Sequence, residues 1–257
     1  MRSKKSQLTI LIIAALIIVV GIALVATLLK NKISGGIDAS ENPQGYISDC
    51  VQQDLQTAET KILDANGYLE LNNNYALYNL NRPNEKVPYL CKASQFYMPC
   101  INQEPMLIEK VKKDFQSLTQ KNVEECFSKL IAEMEKNGNV LQEGTLNYSI
   151  FLMENYIIAK MNKKMIIKKD EAQQVFENFE AKLQSPLYNL INIARQIANY
   201  ESELCEFNDV NWMMNFKDIS IEKFVTSDQT KIYNLKDRAT EKKLTFAVKS
   251  CVMPAGI

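Results

Sequence analysis

Hydrophobic positions along the chain follow three different rhythms. The first is unbroken: Leu8 to Leu29 (LTILIIAALIIVVGIALVATLL) runs 22 residues without a charge. At about 1.5 Å per residue this makes about 33 Å of helix, against about 30 Å of bilayer hydrocarbon. A buried core helix of that length would show a polar face, and only Thr9, Gly21 and Thr27 interrupt this run. A secretory signal has a shorter apolar stretch, of about 7–15 residues, so the segment reads as an uncleaved anchor.

The second rhythm has the helical period. Ile47, Val51, Leu55, Ala58 and Ile62 predict a helix over 44–65, with Pro43 in its first turn and Gly67 as its stop. Glu104-Pro105 opens another helical region, carried by Leu107, Val111, Phe115, Val123, Cys126 and Leu130 to about Lys136. A third starts at Ser185-Pro186 and runs through Leu187, Leu190, Ile191, Ala194 and Ile197 to about Tyr200.

The third rhythm alternates. Leu146, Tyr148, Ile150 and Leu152 read as a half-buried strand, and Val175, Phe179, Ala181 and Leu183 as another. Tyr156–Met161 and Lys164–Lys168 flank Asn162-Lys163, which predicts a hairpin. Further strands are expected over 67–71, 219–225, 230–235 and 244–248. The stretch holding Pro83, Pro88 and Pro99 is expected to be irregular. Helices and strands thus fall in blocks, which predicts an α+β fold with helices packed on a mainly antiparallel sheet. The organisation is a basic N-terminus (1–7), the anchor (8–29), a linker with Ser34-Gly35-Gly36 (30–42) and one domain (43–257). Lobes at 43–138 and 139–257 are the alternative division.

Charge orients this arrangement. Arg2, Lys4 and Lys5 precede the apolar run and Lys30 and Lys32 follow it, which favours a cytoplasmic N-terminus and an exported remainder. The whole chain is neutral, with 30 basic and 30 acidic residues, but the first 37 hold five of the bases and no acid. The exported part therefore carries 25 bases against 30 acids, a balance that argues against nucleic acid as a partner. The expected partners are the membrane, through Leu8 to Leu29, and proteins of the cell envelope.

All six cysteines, Cys50, Cys91, Cys100, Cys126, Cys205 and Cys251, lie beyond the anchor. An even number confined to an exported part is the pattern of a disulfide framework, for which six cysteines allow 15 pairings. Cys91 with Cys100 is favoured by proximity around a proline-containing loop. Cys50 with Cys126 would staple two helices, and Cys205 with Cys251 would tie the last helix to the final strand. Free, buried thiols are the alternative.

Candidate chemistry is sparse. With no histidine, the His-based triads and His-ligated zinc sites are excluded. No glycine-rich phosphate loop occurs, no cofactor is implied, and no catalytic residue is assigned. Ser220-Ile-Glu-Lys223 matches a Ser–Lys pattern, but in a strand the two side chains face opposite ways. Glu124-Glu125 reads as a solvated helix face. Lys160, Lys163, Lys164, Lys168 and Lys169 read as the charged edge of a hairpin. Asn147-Tyr148-Ser149 is a glycosylation sequon.

Lys4-Lys5-Ser6-Gln7-Leu8-Thr9 ahead of an aliphatic helix resembles archaeal class III, type IV pilin-like leaders. The resemblance implies peptidase processing between Ser6 and Gln7, although the glutamate those families place five residues into the mature helix is missing. The remainder resembles uncharacterised single-pass membrane proteins of small-genome archaea. That likeness lies in Asp64-Ala-Asn-Gly-Tyr68, Val87-Pro-Tyr89, Cys126 in its helix, Ile232-Tyr, Asp237 and Leu244-Thr-Phe-Ala-Val248. It implies location and architecture, and no reaction. The expectation is a membrane-anchored, extracytoplasmic binding or structural protein. A His-free exported hydrolase, a pilin-like subunit and a cytoplasm-facing domain are the alternatives.

Overall fold

The computed structural model of the chain describes residues 41–71, 73–78, 85–95, 97–136, 140–169 and 172–251. The expected anchor at Leu8–Leu29 and the leader residues Ser6 and Gln7 lie outside the described residues. Among the described residues, no helix is long and apolar enough to cross a membrane.

Helix α1 (Pro43–Asp64) starts where Asn42 accepts the Gly45 N–H at 2.9 Å and Pro43 occupies the first turn. It buries Ile47, Val51, Leu55, Ala58 and Ile62 along one stripe. The strand expected over 67–71 does not form. Asn66 and Gly67 instead take φ of 52° and 80°, and the Gly67 N–H closes on the Ile62 carbonyl at 2.8 Å. Such a left-handed helix end satisfies carbonyls that a strand would leave open. Helix α2 (Leu107–Lys136) runs antiparallel to α1. Cys50 pairs with Cys126, and the Asn122 amide donates to Asp54 at 2.9 Å.

Three strands precede α2: β1 (Tyr75–Tyr78), β2 (Glu85–Lys92) and β3 (Ile101–Asn102). After it come β4 (Val140–Glu143), β5 (Asn147–Met153), β6 (Tyr156–Lys169), β7 (Ala172–Gln184), α3 (Leu187–Leu204), α4 (Asp209–Asn215), β8 (Ile219–Val225), β9 (Lys231–Asp237) and β10 (Lys243–Lys249). They build two sheets. One is mixed, in the order β1-β2-β10-β9-β8, with β3 also on β2. Its β2–β10 pair is parallel, so the sheet expected to be mainly antiparallel joins strands from the two ends of the domain side by side. The other is antiparallel. β7 takes one edge of β6, and β5 and β4 take the other in succession.

Two sequence expectations fail in these strands for identifiable reasons. β2 was hidden by its proline, yet Pro88 lies just before Tyr89, where pairing with β10 begins. The missing N–H therefore costs no ladder bond there, and Tyr89 resumes donation to the Asn74 carbonyl. Asn162-Lys163 does not turn the chain: β6 continues through it with a register shift between Asn162 and Met165. Lys160 and Lys164 consequently stand exposed on the outer face of a central strand, and are not a hairpin edge.

Helices α1 and α2 cover the inner face of the antiparallel sheet, whose cross-strand rows Tyr148–Met161–Phe179 and Ile150–Ala159–Ala181 are buried. Phe127 of α2 meets Phe179 edge-on at 5.0 Å between centroids. Helix α3 packs against strands of both sheets and hides Leu187, Leu190, Ile191, Ala194, Ile197 and Ala198. One hydrophobic core consequently runs from the helix pair through α3 to the mixed sheet.

Candidate functional site

Two fully buried carboxylates mark places where the core is polar. Glu201 extends the buried stripe of α3 by one more turn. Its Oε1 accepts the Tyr233 hydroxyl and the Phe207 N–H (3.2 Å), and its Oε2 accepts Lys231 Nζ and Ser250 Oγ, both at 2.7 Å. Burial, followed by the Glu201 charge, pushes the Tyr233 hydroxyl far above its ordinary range, so it stays a donor. Glu59 of α1 accepts Ser185 Oγ at 2.5 Å and Lys242 Nζ at 2.6 Å. Ser185 is itself buried and accepts the Leu187 N–H at 3.1 Å. Both sets fasten helices to the mixed sheet and have no opening at their carboxylates, so they are bracing rather than reactive.

A surface groove of mixed chemistry lies at the start of α3. Its floor is α3, its walls are the β5–β6 turn and α4, and its end is the start of β8. Asn155 in that turn sits at φ 61°, a left-handed position that asparagine tolerates, and its carbonyl accepts the Ser185 N–H at 3.0 Å. Its side chain accepts the Asn189 amide at 2.9 Å. Asn189 thereby keeps its own carbonyl for the groove. One turn on, Arg195 Nη2 donates to Asn192 Oδ1 at 3.0 Å, which leaves the Asn192 NH2 outward as a donor. Gln196, Glu154 and the Asp218 carboxylate also line the groove, without a side-chain partner among the described residues.

Helix α4 supplies the apolar wall. Asn208 caps it by accepting the Asn211 N–H at 2.9 Å. Trp212 and Phe216, four residues apart, stack with centroids 4.4 Å apart and planes 25° apart. Trp212 is half-buried and Phe216 is 55% exposed, so the pair presents an open ring face.

The residues singled out in the sequence fall elsewhere. The six cysteines form Cys50–Cys126, Cys91–Cys100 and Cys205–Cys251, with Cα separations of 6.1, 5.4 and 5.3 Å. Ser220 and Lys223 stand on opposite faces of β8, and Lys223 Nζ donates to Asp209 (3.0 Å) and the Phe207 carbonyl (3.1 Å). Glu124 and Glu125 are exposed on α2, and Asn147 is exposed at the start of β5. Among the described residues, no cluster of three His, Cys, Asp or Glu could hold a metal ion. Sequence reasoning missed the groove, although the lone tryptophan with an aromatic four residues on, behind an Asn-Asp helix start, was the available signal. No family model, no curated protein and no solved structure matches the chain.

Proposed function

We propose that the chain is a single-pass membrane protein whose Leu8–Leu29 segment anchors an extracytoplasmic domain with a binding or structural role in the cell envelope. The observation that carries this reading is the pairing of all six cysteines, each placed after the apolar segment. Such a framework persists in oxidising compartments and is reduced in the cytosol. The hydrolase alternative would draw on Glu154 and Asp218, which share the groove. Both are exposed on its rim, where water surrounds them, and a Ser–Lys contact is missing at Ser220 and Lys223. A binding role fits that geometry better.

The test is the intact mass of the full chain, purified from membranes and alkylated with and without prior reduction. Alkylation only after reduction, at all six cysteines, is the expected result. Six thiols labelled without reduction would overturn export. The same mass reports whether the chain begins at Met1 or, in the pilin-like alternative, at Gln7.

A further inference from the structure

The groove beside α4 has a combination of surfaces that its own protein does not use. It is formed by two adjoining cavities of about 340 and 430 Å³, which share Glu154, Asn189, Asp218 and Ile219. That is the size range of sites for small ligands. Its charges nearly cancel: Glu154, Asp218 and Asp237 stand against Lys217 and Arg238. Asp237 is also held by the Thr240 N–H and hydroxyl at 2.8 and 2.6 Å, which fix its carboxylate in place. An anion would find no excess of positive charge, and a cation a single net negative charge at an open rim.

The polar groups instead alternate in kind. Asn189 offers its carbonyl as an acceptor, and Asn192 its NH2 as a donor, each fixed by a bond on its other side. Glu154 and Asp218 add acceptors, and Gln196 adds both. Adjacent donors and acceptors at fixed spacing match neighbouring hydroxyls, which give and take a hydrogen bond each. Against them lies the Trp212–Phe216 pair. Because the two rings stack on each other, they form a platform and not a cage, so a flat ligand with one apolar face fits and a compact cation is poorly enclosed.

We infer that this groove binds an uncharged oligosaccharide, with a pyranose ring laid on the free face of Phe216, which Trp212 backs, and its hydroxyls on Asn189, Asn192 and Glu154. The inference deepens the reading of the domain as an exported binding module and rests on it.

Trp212 is the only tryptophan in the chain, so its fluorescence reports this groove alone. The full chain is titrated with cellotriose, maltotriose, mannotriose and chitotriose in a polyoxyethylene detergent, since maltoside detergents carry the ligand class themselves. A saturable shift of Trp212 emission with at least one trisaccharide is expected. Phe216→Ala should weaken that binding about tenfold or more. Gln196→Ala, on the groove floor, gives a second test should Phe216→Ala fail to fold, and should also weaken binding. Tyr97→Ala, an aromatic exposed outside the groove, should leave it unchanged. Silence with every trisaccharide, saturation by choline instead, or sugar binding indifferent to the groove variants that fold would overturn the proposal. Failure of the titration with all cysteines paired leaves export standing. Six free thiols remove export whatever the titration gives.

Discussion

Asp228, at the β8–β9 turn, shows how local bonds set one residue's charge. Its carboxylate accepts Thr226 Oγ1 at 2.5 Å, Thr230 Oγ1 at 3.0 Å and Lys249 Nζ at 3.1 Å. The Thr226 bond, helped by Lys249 and Thr230, holds the carboxyl at about 2, below the ordinary 3.8. The folded value lies below the unfolded one, so the native state keeps a charge that the unfolded chain surrenders first as pH falls. The turn's contribution is full above about pH 4 and fades as pH drops towards 2. A carbon-13 carboxyl titration should place the midpoint near 2, and Thr226→Val should move it upward. A wild-type midpoint at the ordinary value would contradict the turn geometry. No reading of the sequence isolates this residue from the other 29 acids, because Thr226, Thr230 and Lys249 reach it only once the hairpin and β10 have formed. Glu201 was hidden for the opposite reason. It occupies an apolar helical position, and a charge there reads as the end of the helix.

The three long helices were the most readable elements, because each repeats its apolar spacing over several turns, whereas α4 was not foreseen. The strands were less so. β5 alternates cleanly, and β7 does so over Phe179–Leu183, since one face meets α1 and α2 and the other meets water. Val175, expected in the same alternation, is instead exposed, because the register shift in β6 passes the inner position to Phe176. In β2, β9 and β10 the middle residues are buried on both faces, so alternation is lost, and Pro88 disguised β2 further. The groove was unreadable at this level too. Its polar residues belong to a turn, a helix and a strand far apart in sequence, and α4 is only seven residues long. The disulfides allow an element-scale test. Cys50–Cys126 spans 76 residues and staples α1 to α2, whereas Cys91–Cys100 spans 9 within one loop. Loop-closure entropy assigns about 4.5 kcal/mol to the first and about 2.5 kcal/mol to the second. Cys50→Ala/Cys126→Ala should therefore lower the urea midpoint clearly more than Cys91→Ala/Cys100→Ala. Equal losses would mean that the helix pair is ordered by packing alone.

At the scale of the molecule, the disulfides and the core divide the chain differently. No disulfide crosses the connection between Lys136 and Val140: two lie before it and one after. Noncovalent structure crosses it everywhere. β2 from the first half pairs with β10 from the second, α1 and α2 cover β7 and β5, and α3 enters the space between them and the mixed sheet. The first half alone would keep α1 and α2 with their sheet-facing sides bare, and β2 without its partner in the middle of the sheet. The second half would expose the buried faces of β5, β7 and α3. Neither piece retains a closed core, so the two should fold only together. A protease site inserted between Lys136 and Val140 tests this directly. After cleavage of the folded protein, the pieces should co-elute without reductant in native buffer and separate in urea, since only packing joins them. Expressed singly, each should lack a cooperative unfolding transition, and mixing should restore one. A piece that unfolds cooperatively by itself would show that the chain is built of two lobes, with the parallel β2–β10 pair as a seam between them and not the centre of one fold.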